Sequence, residues 1–174
     1  QQAVLLTNTG DAVDNAERRI NVAFKAFDGD AFTEKEDTTA KPDTSTSEMN
    51  SFWKGYHADS SLCVDLGETR TVSEVEIQWR YGGKGKDFNI LVSDDGENWT
   101  TAKEVRGNGD FFNTVSLDEP TEARYVKMQG IASNASAGIY MIQEFKVYET
   151  VDKTQLNTLL KQAEELIKKE WTQF

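Results

Sequence analysis

From residue 72 the chain reads Val72-Ser73-Glu74-Val75-Glu76-Ile77-Gln78-Trp79-Arg80-Tyr81. Side chains of an extended backbone alternate between two faces, so Val75, Ile77, Trp79 and Tyr81 share one face and Glu74, Glu76, Gln78 and Arg80 the other. This is the pattern of a strand with one side on a core. Downstream, Phe88, Ile90 and Val92 repeat the period. Ser93-Asp94-Asp95-Gly96 then supplies an Asp-Gly turn into Trp99-Thr100-Thr101, which predicts a hairpin. Val115 with Leu117, Val126 with Met128, and Phe145 with Val147 predict three further short strands, divided by clusters of Gly, Asn, Ser and Pro. Short strands at this spacing predict an all-β sandwich, with Trp53 and Trp79 in its core.

Two stretches break the pattern. Residues 34 to 51 are Thr, Ser, Glu, Asp and Lys with one Pro, and read as a long surface loop. At the other end Leu156, Leu159, Leu160, Ala163, Leu166, Ile167 and Trp171 recur at helical spacing. Asp152 and Gln155 make a capping-box pair before that stripe and Val151 can staple onto Leu156, so an amphipathic helix is expected from about residue 153. Its apolar side needs a cover, either the sandwich or helices of a following module, and the second is favoured because the stripe runs to the last residues. The expected division is a sandwich over 1–150 and a helix over 151–174 that begins the next module or a linker. The start at Gln1-Gln2 and the helical finish read as a piece cut from a longer protein.

Charge narrows the partners. The 174 residues hold 30 acids against 19 bases, a net charge of -11, which repels phosphate backbones and anionic lipid; neither nucleic acid nor a membrane is expected as a partner. Residues 151 to 174 are balanced, so the excess lies in the first 150. The one cysteine, Cys63, sits between Leu62 and Val64 and reads as a small buried hydrophobe rather than a nucleophile. A single histidine rules out multi-histidine metal centres, and no Gly-x-Ser-x-Gly, zinc-spaced Cys/His set or phosphate loop is present. The neighbouring carboxylates Asp94 and Asp95 fall in a hairpin turn, where solvated turn residues are far commoner than an acid–base pair. The chain reads as non-catalytic.

Four stretches taken together resemble the discoidin, or coagulation factor type C, superfamily, and in particular the family 32 carbohydrate-binding modules of bacterial glycoside hydrolases. They are Ala26-Phe27-Asp28-Gly29-Asp30, Val64-Asp65-Leu66-Gly67, the run from Phe88 to Thr100, and Arg124-Tyr125-Val126 with Glu144-Phe145-Lys146-Val147-Tyr148. The segment from Asp152-Lys153-Thr154 is similar to helical modules that follow such domains in surface-attached bacterial enzymes. The resemblance implies a galactose-binding-domain-like jelly roll in a secreted, extracellular or surface-attached multimodular glycoside hydrolase. It would act as a monomer, with neighbouring modules of the same chain as partners.

The resemblance also implies a structural calcium. Calcium takes six to eight oxygens, and a tight Asp-Gly-Asp turn can offer carboxylate and carbonyls within a few residues. By the family pattern the ligands are the Asp28 carboxylate, the carbonyls of Lys25 and Asp30, Thr33, and the distant Glu144. Ser51, two residues before Trp53, competes with Thr33. For sugar binding the resemblance points to loops at one end of the sandwich, which carry Tyr56, His57, Arg80, Tyr81, Phe111, Phe112 and Asn134. A shallow site needs an aromatic face for a pyranose and fixed polar groups for its hydroxyls. Phe111 and Phe112 cannot both point inward from an extended segment, so at least one is expected to be exposed. Terminal galactose or an N-acetylhexosamine is the expected ligand, although Gly82-Gly83-Lys84-Gly85-Lys86 stands where galactose-binding members tend to carry Arg and Asn. A discoidin-like adhesion module with a protein partner is the alternative.

Overall fold

The alternation at Val75, Ile77 and Trp79 is the second half of a longer strand than the sequence pattern marks. In the computed structural model, which describes residues 2–5, 11–14, 26–27, 51–151 and 153–171, β1 is Gln2–Leu5, β2 Asp11–Asp14, β3 Trp53–Gly55 and β4 Ser61–Trp79. Then follow β5 Gly85–Ser93, β6 Thr100–Val105, β7 Phe112–Ser133, β8 Tyr140–Val151 and helix α1 Lys153–Trp171.

Two long strands make the sandwich by serving both layers. The first half of β4, Ser61–Asp65, pairs with Tyr125–Gln129 of β7 and on its other edge with β2. The second half, Val72–Trp79, lies between Phe112–Thr121 of β7 and β8. One layer therefore runs β2-β4-β7-β5-β6 and the other β7-β4-β8, with β1 and β3 also on β8. The ladder shifts register between Asp65 and Arg70, where the strand passes from one layer to the other. That crossing is tied by Arg124, whose Nε and Nη2 donate to the two carboxylate oxygens of Asp65, each at 2.7 Å. The guanidinium hydrogen bond holds the Asp65 carboxyl below its ordinary range. Asp65 Oδ1 also accepts from Gly67 N at 2.8 Å. Val64-Asp65-Leu66-Gly67 and Arg124-Tyr125-Val126 thus act as one device at the bend.

Here the structure corrects the sequence reading. Val115 with Leu117 and Val126 with Met128 belong to a single 22-residue strand, β7. Pro120 reads as a breaker because it has no N–H to donate. It falls where the β4–β7 ladder pauses, between the Ser116 and Thr121 pairings, so the strand bends there without ending.

The inward residues of both layers meet as expected. Leu62, Val64, Phe88, Ile90, Val126 and Met128 pack against Val72, Val75, Ile77, Trp79, Ile142, Phe145 and Val147, all fully buried. Cys63 is buried on the opposite side of β4, and burial pushes its thiol up to about 11. The Asp-Gly hairpin joins β5 to β6 as the sequence predicts. Asp95 organises that turn by accepting the backbone N–H groups of Glu97 and Asn98 and the Asn98 amide, at 2.8, 2.7 and 2.7 Å. Of the polar stretch 34 to 51 only Ser51 is among the described residues. Every residue of α1 from 157 to 168 is exposed, including Leu159, Leu160, Leu166 and Ile167.

Candidate functional site

At one end of the sandwich the chain leaves β4 after Trp79 and returns into β5 at Gly85, and this short loop forms one wall of a cavity of about 360 Å³. The cavity is lined by Tyr81, Gly82, Gly83, Lys84, Phe111, Asn134 and Ala135. Two glycines set the shape of the wall. Gly82 has φ +93°, a left-handed conformation that side chains rarely take, and a Cβ on Gly83 would stand 2.7 Å from the Met141 nitrogen. Met141 holds both ends of the loop, its N donating to Gly83 O at 2.7 Å and its O accepting from Arg80 N at 2.9 Å.

Behind the cavity, two asparagines hold its second wall. Trp79 Nε1 donates to Asn113 Oδ1 at 2.6 Å, and Asn113 Nδ2 donates to Asn108 Oδ1 at 2.8 Å. Asn108 Nδ2 in turn reaches the Gly85 carbonyl at 2.8 Å, and Asn108 N donates to Lys86 O at 2.8 Å. The loop before β7 is thereby pinned to the start of β5. The third wall, the loop after β7, is joined to the first by Asn134 N donating to Lys84 O at 2.9 Å. The Trp79 ring sits beneath this frame against Phe88 and Tyr140, at centroid distances of 5.4 and 6.4 Å.

Three of the seven sugar-site residues expected from the sequence meet here: Tyr81, Phe111 and Asn134. Tyr81 is the open ring, 50% exposed, with its centroid 6.3 Å from that of Phe111. The expectation of an exposed phenylalanine does not hold. Phe111 is only 9% exposed and Phe112 half-buried, because Phe111 O accepts from Trp79 N at 2.8 Å and the segment is drawn over the core. The Phe111 ring is further covered by Lys84, whose Nζ lies 4.3 Å from the centroid and donates to Gly109 O.

The other four line no part of this cavity. Arg80 is turned toward β8 and β3, its guanidinium 4.5 Å from the Phe52 ring and 3.9 Å from Met141 Sδ. Tyr56 and His57 lie on the loop after β3, where Lys54 Nζ is 4.9 Å from the Tyr56 ring and Ser60 N donates to His57 O at 3.0 Å. That loop borders the third wall, since Tyr140 Oη donates to Ala58 O at 2.9 Å and the Gly138 position faces Ala58. Gly82, Gly83, Lys84 and Ala135 were not singled out from the sequence as lining residues. The only local signal was the glycine-rich run after Tyr81.

Of the calcium ligands expected, Lys25, Asp28, Asp30 and Thr33 lie outside the described residues. Glu144 is buried on β8, and among the described residues no group of three or more His, Cys, Asp or Glu gathers as a metal site. Phe27, which precedes Asp28 in sequence, packs edge-on against Phe145, which follows Glu144, with centroids 5.7 Å apart.

Comparison with known proteins completes the picture. No curated protein matches the chain. Among solved structures it is similar to chitosan-binding module 1 of a chitosanase/glucanase from Paenibacillus sp. IK-5, at 22% identity and TM-score 0.65, covering 83% of this chain and 98% of that one. It is similar to the family 32 module of NanJ from C. perfringens in complex with galactose, at 23% identity and TM-score 0.64, covering 85% and 100%. A third is the family 32 module of AlyQ in complex with 4,5-unsaturated mannuronic acid, at 18% identity and TM-score 0.61, covering 84% and 98%. The F5/8 type C domain family model matches residues 13–145, most of the chain, and with the jelly-roll topology this shows that the protein belongs to the F5/8 type C, discoidin-type family that includes the family 32 carbohydrate-binding modules.

Proposed function

We propose that this domain is a non-catalytic carbohydrate-binding module, and that its sugar site is the cavity between the loops after β4, before β7 and after β7. The observation that carries this reading is the lining itself: an exposed tyrosine ring, a glycine wall that admits a ligand close to the backbone, and an asparagine amide, gathered at one end of a rigid sandwich. A pyranose needs such a combination, one apolar face and a few fixed polar groups. The three solved modules above are named for an amino-sugar polymer, a neutral hexose and an unsaturated uronic acid. One fold accommodates all three, so the lining chooses the ligand. A terminal sugar is the best fit to an open cavity of this size, with galactose and N-acetylhexosamine ends as the neutral candidates. The module would serve a secreted or surface-attached multimodular bacterial glycoside hydrolase, holding the enzyme on its glycan.

A small, hydrated ligand in an open site is bound weakly, with Kd on the order of 0.1 to 1 mM. A glycan array followed by titration calorimetry at millimolar sugar tests the reading. Binding that is weakened in Tyr81→Ala supports it. No sugar bound by the parent, with a protein partner captured instead, would overturn it in favour of an adhesion module.

A structural calcium is part of this proposal. Lys25, Asp28, Asp30, Glu144 and either Thr33 or Ser51 would hold it, an all-oxygen set that suits a hard cation. Phe27 and Phe145, the sequence neighbours of Asp28 and Glu144, pack against each other, which favours that assignment. The ion would brace the fold rather than touch the ligand. Chelation should then lower Tm, and added calcium should restore it. A melting curve indifferent to chelator removes the ion from the account.

A further inference from the structure

The cavity carries one feature that a site for neutral sugars does not require. Among the described residues its lining includes a single cationic side chain, Lys84, and no carboxylate. None of the ion pairs formed among the described residues includes Lys84. Its ammonium lies over the Phe111 ring, 4.3 Å from the centroid, and gives one N–H to the Gly109 carbonyl. An ammonium has three donors, so two remain for another acceptor. Its position is fixed from behind, since Lys84 O accepts from Asn134 N at 2.9 Å and from Ser133 Oγ at 3.2 Å.

What distinguishes this cation is its place in the cavity wall. The protein has 30 acids against 19 bases, and four of its described cations pair with acids: Arg70 with Glu68, Lys103 with Asp118, Arg106 with Glu104 and Arg124 with Asp65. A lysine in the wall of an open cavity that pairs with no carboxylate among the described residues is complementary to a carboxylate that arrives with the ligand. Resting on the reading of this cavity as the sugar site, we propose that the module recognises a glycan end bearing a carboxylate, a terminal uronic acid, with Lys84 as the residue that selects it. The carboxylate accepts from Lys84 Nζ, the ring lies along Tyr81, and the Asn134 amide meets a hydroxyl. The same cation disfavours an amino-sugar polymer, which would bring ammonium groups against Lys84. The excess of acid over the whole protein disfavours a polyanion, so the inference commits to one terminal carboxylate.

The test compares sugars that differ only at C6: methyl glucuronide against methyl glucoside, and methyl galacturonide against methyl galactoside, each titrated into the intact protein. A charge-assisted hydrogen bond exceeds a neutral one modestly at an exposed site, so the parent should prefer the uronide of at least one pair by about 5- to 10-fold. Raising the salt should shrink that preference. In Lys84→Gln the ratio within the pair should fall to about 1, while Lys84→Arg should keep most of it. Melting curves of both variants confirm that they are folded. If the parent binds the neutral member of each pair as tightly as the acid, the charge inference is overturned and the sugar site stands. If Lys84→Gln keeps the full preference, Lys84 is not the selector. If no member of either pair binds and the glycan array is also blank, the sugar site falls, and this inference with it.

Discussion

Strand β4 and helix α1 each carry an apolar stripe matched to their own period, yet they end in opposite surroundings. Along β4 Val72, Val75, Ile77 and Trp79 are fully buried, because β8 and β7 flank the strand and the opposite layer covers its inner face. Along α1 Leu159, Leu160, Leu166 and Ile167 are 54 to 65% exposed. Periodicity records that a face is built for burial. It says nothing about which surface does the burying, and for α1 no described part of the chain does so. The strands also gain a ladder of backbone hydrogen bonds from their neighbours, whereas a helix satisfies its backbone within itself and can stand apart.

That contrast breaks first, if it breaks at all, at Trp79. Trp79→Ala removes a fully buried ring and leaves Asn113 without its donor, so it should cost about 3–5 kcal/mol and lower Tm by roughly 10 °C or more. Thermal unfolding measures this, and a loss below about 1 kcal/mol would mean the two layers do not close over that ring.

The next comparison lies inside the candidate site. Phe111 belongs to the buried core at the cavity wall while Tyr81 stands open beside it. Phe111→Ala should therefore destabilise the fold by about 2 kcal/mol or more. Tyr81→Ala should leave stability within about 0.5 kcal/mol and weaken sugar binding by about 0.5 to 1.5 kcal/mol. Paired melting and calorimetric titration would separate them. Equal effects of both variants on Tm would show that the cavity wall has no open ring.

The smallest effect is expected on the helix. Leu159→Glu combined with Leu166→Glu alters only exposed positions, so the melting of the sandwich should shift by no more than about 0.5 kcal/mol and sugar affinity should not change. A larger fall, seen by calorimetry or near-ultraviolet dichroism, would place the helix against the sandwich.

Much of the site's neighbourhood was legible in the sequence. The resemblance placed Tyr81, Phe111 and Asn134 on loops at one end of the sandwich, and the structure gathers these three around one cavity, while of Phe111 and Phe112 only Phe111 is fully drawn into the core. Lys84 was passed over because a lysine in a glycine run carries no local signature. Its meaning comes from Phe111, 27 positions later, and from the absence of any carboxylate among the described residues that line the cavity. The frame of Asn108 and Asn113 was invisible for the same reason, since an asparagine in a turn looks alike whether it faces water or holds Trp79.

By itself the sequence determined which face of its own element each residue takes: period-two alternation, the Asp-Gly hairpin and the helical stripe are local properties, written within one short segment of the chain. The tertiary structure decided everything that depends on which distant segments meet. It joined two predicted strands into β7 across Pro120, because a ladder partner at Val72 takes the chain up again at Thr121. It clasped Asp65 to Arg124 at the layer crossing, and it drew Phe111 inward while leaving Tyr81 out. Local pattern follows from the geometry of one backbone, whereas pairing and cavity lining follow from the packing of many. The second is the information a ligand reads.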